Sequence, residues 1–599
     1  MAIKSIRLEL LMDAGNGAQK AGDILIKALA KAGYFVFIEP IIPAEISPPK
    51  RTPYSMSGVV IRIASEEITN IGSETDFILV EHDILAKRRL SEHEYHNKCE
   101  IVIDTGFEKR TPEGYQEIKD LADEEGLTYR SFGIGDEAEA LIKELSGNGK
   151  NMYYLGVLTA IFNAGYDDVV TLIKQTFKKL PEAILAKNIT LFDLGFNNAG
   201  QITPSSFQLD LQKQDDNEKI LLDGNTAVAL GIIDAGIRLF SGYPITPAST
   251  IMHNLAQYFP KYNGILHQAE DEISALGTVL GSYFAGVPAV SATAGPGLSL
   301  KQEFLGLSLV AEIPCILVNV QRGGPSTGLP TRTEQADLMA AAFGSHGDSP
   351  KVVLGVSNVE DCFYAPHVAR YLTEKLKMPV IIMSDYLTSV SYRVLDKLPL
   401  SQLDDVNDID DAILARFQLK RLPDNIEMVK NNQANPGEKD KMRRVTGLNT
   451  SEEGFVEYTP TVNHRSHKVR NEKLHHVRRC LTEPEFFGDR EGDLLIVGWG
   501  SSRGAILESV TDLQEQGYKV SGLCLKMVYP MPLMLTDIFS QFKKVVSVEV
   551  AYGDDLKFTG FCTLLRAETL ADVTGLVTDA TGRPLKPNVI VERALEIVR

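Results

Sequence analysis

"CILVNVQRGGPSTGLPTRTEQADL", residues 315–338, begins as a run of apolar and β-branched residues and breaks at Arg322 into a loop punctuated by Gly323, Gly324, Pro325 and Gly328. Similar runs, "GVPAVSATAG" at 286–295 and "MPVIIMSD" at 378–385, alternate with helical patterns. That alternation is the mark of a parallel sheet covered by helices on both faces, so the fold class is α/β with doubly wound domains. An arginine at the carboxyl end of such a strand stands where open α/β sheets bind ligands. Its planar fork suits a carboxylate or phosphate, and the hydroxyls of Ser326, Thr327, Thr331 and Thr333 follow close behind. Read alone, the loop leaves a sugar phosphate, a diphosphate and an oxoacid equally open.

Two further stretches accompany it. In "GYPITPAS", residues 242–249, Pro244 and Pro247 restrict their own φ and push the preceding residues toward extended geometry, so Thr246 is held in a stiff turn after a strand. The plainer reading is a helix start with Ser249 or Thr250 as its cap. In "HQAEDEISALGTVLGSYFAG", residues 267–286, Glu270, Asp271 and Glu272 stand at the start of a helix carrying Ala275, Gly277 and Gly281. Acids at a helix N-terminus are ordinarily stabilising. The glycines, each costing about 1 kcal/mol against alanine, point to something packing closely there. A buried carboxylate so placed is a candidate proton partner.

The 599 residues exceed what one core sustains and predict several domains of about 100–200 residues each. With 44% hydrophobic and 23% charged residues the composition is globular, and a formal net charge of −18 argues against a nucleic-acid or anionic-membrane surface. The six cysteines lie at least 38 residues apart, the closest pair being Cys524 and Cys562, so no CxxC spacing exists for zinc or an iron–sulfur cluster. No stretch reaches the roughly 20 apolar residues of a membrane span, and the start lacks a signal-peptide pattern. A cytoplasmic protein with reduced thiols is expected.

The first segment reads as strand, Gly15/Gly17 turn, helix and strand, with further strands in "TDFILVEHD" and "CEIVIDTGF" and helices in "NMYYLGVLTAIFNAG" and "VVTLIKQTFKKL". Its GxGxxxxG spacing is not the dinucleotide fingerprint, which favours a generic strand-to-helix turn over nucleotide binding. The polar "KQDDNEK", 213–219, marks a border. The expected divisions are 1–212, 220–395, a connecting segment 396–490, and a last domain 491–599 built around "GDLLIVGWGSSRGAILESVTDLQEQGYKVSGLCL", with Trp499 in its turn. The connecting segment reads as a long surface connection with one or two helices. Its His464, His467, His475 and His476 lie among basic neighbours and read as a solvated basic face rather than metal ligands.

Taken together, "SGYPITPAS", "EDEISALG", "SATAGPGLSLKQE" and the Arg322 loop resemble the α subunit of 2-oxoacid:ferredoxin oxidoreductases, most closely the 2-oxoglutarate type with the γ region fused ahead of α. The likeness is strong over about 221–395, good over the C-terminal domain and weaker over the first 200 residues, where the family's GxGGQG stands as "GNGAQKAG". It implies an α/β γ domain, a thiamine-diphosphate-enzyme pyrimidine-type domain and a transketolase C-terminal-like domain. Glu272 resembles the glutamate that hydrogen-bonds the aminopyrimidine and favours the imino tautomer able to take the thiazolium proton. Tyr243 and Pro244 are implied cofactor neighbours. Thr246 and Arg322 resemble the residues that bind the substrate carboxylate, with Thr327 and Thr331 as loop partners.

The resemblance further implies a reaction of 2-oxoglutarate, CoA and oxidised ferredoxin to succinyl-CoA, CO2 and reduced ferredoxin, or the reverse carboxylation. Pyruvate or a branched-chain 2-oxoacid is the alternative substrate. Thiamine diphosphate is expected to be shared with a separate β subunit that carries Mg2+ and a 4Fe-4S cluster, in an assembly of two αβ pairs. The chain itself shows neither cluster-binding cysteines nor a GDG motif with its paired Asn. A reading of another class, a non-catalytic nucleotide-binding or scaffold protein suggested by the two Gly-rich turns, requires no cluster-bearing partner.

Overall fold

A computed structural model of the chain describes residues 5–43, 45, 47–203, 207, 218–400 and 402–599. The border stretch 213–219 lies outside the described residues except for Glu218 and Lys219. The chain forms two compact units, Met1–Leu221 with Ser391–Lys397, and Leu222–Val390 with Leu398–Arg599.

The first unit is built on an eight-stranded sheet in the order Thr128–Phe132, Tyr95–Asp104, Thr75–Val80, Ser5–Asp13, Met56–Ala64, Phe35–Ile41, Tyr392–Asp396, Lys219–Asp223. The first four strands are parallel. Met56–Ala64 runs antiparallel between Ser5–Asp13 and Phe35–Ile41, so the strand, helix, strand unit read from the sequence is split by a reversed strand. Its β-branched core, Val59, Val60, Ile61 and Ile63, is buried on both faces of the sheet. The helix Ala18–Lys31 starts at Gly17, whose φ of 88° is the left-handed conformation that glycine adopts without strain. Buried Ile24, Leu25, Ala28 and Leu29 join it to the core.

The second unit holds two sheets. The larger runs Met527–Tyr529, Val352–Gly355, Pro379–Asp385, Cys315–Gln321, Ala289–Thr293, Leu239–Gly242, Ile265–Gln268, parallel except for Met527–Tyr529 at its edge. Every residue of Cys315–Gln321 and of Pro379–Asp385 is buried, as central strands covered on both faces require. The smaller sheet runs Glu485–Phe487, Val520–Leu525, Gly492–Trp499, Phe542–Val548, Val573–Val577 and is parallel except for Glu485–Phe487. No helix of the described residues is long and apolar enough to cross a membrane.

Residues 396–490 are more than a surface connection. Leu414, Phe417, Val429 and Val477 are buried, and the 21-residue helix Pro460–Cys480 inserts Lys473, without exposed surface, against Glu312 at 2.8 Å. The buried face of that helix mixes Val469, Leu474 and Val477 with Arg470 and Lys473, so charged residues interrupt the apolar stripe from which periodicity would reveal it. His467 reaches Asp348 at 3.3 Å, and no metal-binding group of His, Cys, Asp and Glu occurs among the described residues.

Candidate active site

Four neighbouring parallel strands of the larger sheet end on one edge at Gly242, Gln268, Thr293 and Gln321. The three stretches singled out in the sequence all leave from that edge, where an open α/β sheet places its ligands.

After Gly242 the chain turns through Tyr243, Pro244 and Thr246, all exposed, and a cis peptide joins Thr246 to Pro247. The next helix, Ser249–Tyr258, has Ala248 at its N-cap and no side-chain cap, so neither Ser249 nor Thr250 closes it. The turn is thus held by its prolines and by a contact from outside. Arg322 Nη1 donates to the Thr246 carbonyl oxygen at 2.7 Å.

The three acids after Gln268 separate by role. Glu270 is exposed. Asp271 is the N-cap of the helix Glu272–Phe284; its carboxylate accepts from the Ser274 N–H at 2.7 Å and Ser274 Oγ accepts from the Asp271 N–H at 3.3 Å. This reciprocal cap is the ordinary structural use of such an acid. Glu272 alone is buried, at 8% exposure, and no described residue hydrogen-bonds its carboxylate. Gly297 lies against it: a Cβ there would come within 2.8 Å of Glu272 Cγ and 2.0 Å of Thr293 Oγ1. Below it Lys301, fully buried, donates from Nζ to the Glu272 backbone carbonyl at 2.6 Å. Burial pulls the Lys301 pKa down to about 8, opposed by the charge of Glu272. Lys301 stands in "SLKQE" like any helical lysine and was not singled out in the sequence; only its burial marks it.

Arg322 follows the strand Cys315–Gln321 at 8% exposure, and its Nε is buried with no protein partner. Burial lowers its pKa, and Asp337 counters that fall. Asp337, raised by burial, accepts from Asn319 Nδ2 at 2.9 Å. Within the loop Glu334 accepts from the Gly324 N–H at 2.7 Å. Thr331 is buried at 9% exposure, while Thr327 is exposed. The far end of the loop is fastened by Gln335: its amide donates to the Trp499 carbonyl at 3.0 Å and accepts from the Val550 N–H at 2.9 Å, and its own N–H donates to the Val550 carbonyl at 2.6 Å. Trp499, at the end of its strand, is wholly buried and serves packing.

The arrangement offers one buried carboxylate with an unfilled hydrogen-bonding capacity and one arginine with an unfilled N–H, on the same sheet edge. The first fits a heterocycle that carries a ring nitrogen, as the pyrimidine of thiamine does; the second fits a carboxylate.

Known proteins resemble the chain along nearly its whole length. The family described as "Pyruvate flavodoxin/ferredoxin oxidoreductase, thiamine diP-bdg" matches residues 230–458, and "Pyruvate ferredoxin/flavodoxin oxidoreductase" matches 13–198. The chain is 31% identical to the 2-oxoglutarate oxidoreductase subunit KorA of Mycobacterium tuberculosis, over 97% of this chain and 89% of that one. It is 26% identical to the α subunit of a 2-oxoacid:ferredoxin oxidoreductase of Sulfurisphaera tokodaii, over 98% and 96% of the two chains. A solved structure of the 2-oxoglutarate:ferredoxin oxidoreductase from Magnetococcus marinus, with 2-oxoglutarate, coenzyme A and succinyl-CoA bound, superposes with a TM-score of 0.83 at 30% identity, covering 100% of both chains. Fold and site therefore define a subunit of a thiamine-diphosphate-dependent oxidoreductase. The chain belongs to the 2-oxoacid:ferredoxin oxidoreductase family, as an α-type subunit of a multi-subunit enzyme.

Proposed function

We propose that the chain, with its γ region ahead of α, acts on 2-oxoglutarate: with CoA and oxidised ferredoxin it yields succinyl-CoA, CO2 and reduced ferredoxin, or runs the reverse carboxylation. The observation that carries the site assignment is the Arg322 Nη1 contact with the Thr246 carbonyl at 2.7 Å, which orients the guanidinium while its Nε stays unpartnered. The relatives named for 2-oxoglutarate support the choice of substrate.

In this reading Arg322 binds the carboxylate next to the keto group. A guanidinium suits that task because it stays charged throughout and presents parallel N–H donors. Thr246 and the loop hydroxyls of Thr327 and Thr331 add donors, and Thr331 has the more sheltered place of the last two. Bound thiamine diphosphate supplies the carbanion-stabilising chemistry by which a 2-oxoacid loses CO2. Glu272 would hold its pyrimidine ring, with Tyr243 and Pro244 beside it, and would hold or release the proton at the ring nitrogen it faces. A carboxyl sheltered from water does this well, because its hydrogen bond is not shared with solvent.

A partner β subunit would hold the diphosphate, Mg2+ and the 4Fe-4S cluster, pass electrons to ferredoxin, and form a complex of two αβ pairs. The six cysteines of this chain are free, five of them buried, which accords with a reducing cytoplasm. The test is a substrate panel on the copurified complex with viologen or ferredoxin as acceptor. The reading predicts a kcat/KM for 2-oxoglutarate at least about tenfold above those for pyruvate and branched-chain 2-oxoacids. A preference for pyruvate would overturn it.

A further inference from the structure

A second polar centre lies at the opposite edge of the larger sheet. Glu312, which caps the helix Gly295–Ala311, is 1% exposed, and both of its oxygens are in use. They accept from the Val429 N–H at 2.8 Å, the Lys430 N–H at 3.1 Å, Gln433 Nε2 at 2.8 Å and Lys473 Nζ at 2.8 Å. Five cations feel that carboxylate, Lys377, Lys430, Arg443, Arg470 and Lys473, and three of them feel a second acid as well: Glu374 at Lys377, Glu438 at Arg443 and Asp348 at Arg470. Burial lowers the pKa of each, and several repel one another, Arg443 acting on both Lys377 and Lys430, and Arg470 on Lys473. The other carboxylates restore the balance only in part. Glu374 is bonded to Arg370 at 2.9 Å, and Asp404, 93% exposed, lies 3.9 Å from Arg238. A protein of formal net charge −18 thus gathers positive charge at one place, buried at Lys430, Arg470 and Lys473 and half-buried at Lys377 and Arg443. Buried charge left without a counter-ion is costly, so an anion bound there would relieve it.

Next to this cluster is a cavity of about 360 Å3 lined by Arg238, Tyr283, Lys377 and Arg443 and also by Glu312, Glu374 and Asp404, within the range typical of small-molecule sites. Tyr283, 6% exposed, has the Ala289 backbone N–H near its hydroxyl oxygen but no acceptor for the hydroxyl proton, and Arg443 Nε is buried and unpartnered. Arg238, Pro288 and Pro314 in its wall each precede a strand of the sheet, at Leu239, Ala289 and Cys315. The cavity is therefore at the amino edge, remote from the carboxyl edge that carries Thr246, Glu272 and Arg322.

We propose that this cavity binds a compact, multiply charged anion, a phosphate or a polycarboxylate, through Arg443, Lys377 and Arg238, with the Tyr283 hydroxyl as a neutral donor. An arginine fork and an ammonium facing one small space favour several anionic oxygens over a single charge. The site is independent of the 2-oxoacid site and open to an effector.

The experiment is isothermal titration calorimetry on the full chain copurified with its partner subunit, in separate arms with inorganic phosphate, pyrophosphate and citrate. Saturable binding of at least one probe, one per chain, is expected. Phosphate or pyrophosphate alone identifies a phosphoryl ligand, citrate alone a polycarboxylate, and binding of both classes a site for compact anions in general; each result supports the proposal. Lys377→Met and Arg443→Met should each weaken that binding about tenfold or more, while the KM for 2-oxoacid stays at the wild-type value. Tyr283→Phe, which leaves every charge in place, should weaken it a few-fold and keeps the test valid if a charge variant fails to fold. No saturable heat with any probe at about 10 mM, full affinity in all the variants, or competition by 2-oxoacid would overturn the proposal.

Discussion

Lys301 Nζ lies 2.6 Å from the backbone carbonyl oxygen of Glu272, and the lysine has no exposed surface. The helix that begins at Glu272 is thus tied at its first residue to the helix Gly295–Ala311, which carries Lys301. The cation reaches the backbone, while the carboxylate keeps its own hydrogen-bonding capacity.

Lys301 gives a pH signature. Its pKa falls from 10.5 to about 8 by burial, so the unfolded chain binds the extra proton between those values. Stability from this group is therefore lowest below about pH 8 and rises toward pH 10.5, by on the order of 3 kcal/mol at most. Lys301→Met should remove this rise. Denaturant unfolding of both proteins across pH 7–10 checks it; parallel curves would contradict it.

Arg322→Lys should raise the KM for 2-oxoacid about tenfold or more, with a smaller change in kcat. The point charge survives, but the fork that spans Thr246 and a carboxylate does not. Steady-state kinetics on the assembled complex measures this, and an unchanged KM would remove Arg322 from the carboxylate site.

Glu312→Gln should destabilise the second unit by about 3–5 kcal/mol, because it leaves the fully buried Lys473 without its ion-pair partner. Lys473→Met should cost less than Glu312→Gln, since it removes one cation of a crowded group. Calorimetric unfolding of the two variants gives the order, and the reverse order would contradict the charge imbalance described above.

Much of the architecture was legible because central strands announce themselves: "CILVNV" and "MPVIIMSD" are runs of apolar residues broken only by Asn319 and by the terminal Ser384 and Asp385, as two-sided burial favours. Met56–Ala64 carries a β-branched run of its own, Val59–Ile61, but nothing local shows that a strand reverses between two parallel neighbours. The site stretches were also visible, but not their contacts. Arg322 meets Thr246 at the carbonyl, 76 residues away, and Gln335 reaches Trp499 and Val550 across 164 and 215 residues. Such partners are set by the fold and leave no local pattern. Lys301 was hidden for the opposite reason: lysine on a helix is common, and only tertiary packing distinguishes a buried one.

The role of the Glu272 carboxyl is tested most directly by replacing it with an amide of the same shape. In the copurified complex loaded with thiamine diphosphate, Glu272→Gln should lower 2-oxoglutarate-dependent acceptor reduction by about 100-fold or more while subunit assembly is unchanged. Turnover at the wild-type rate in that variant would contradict the account.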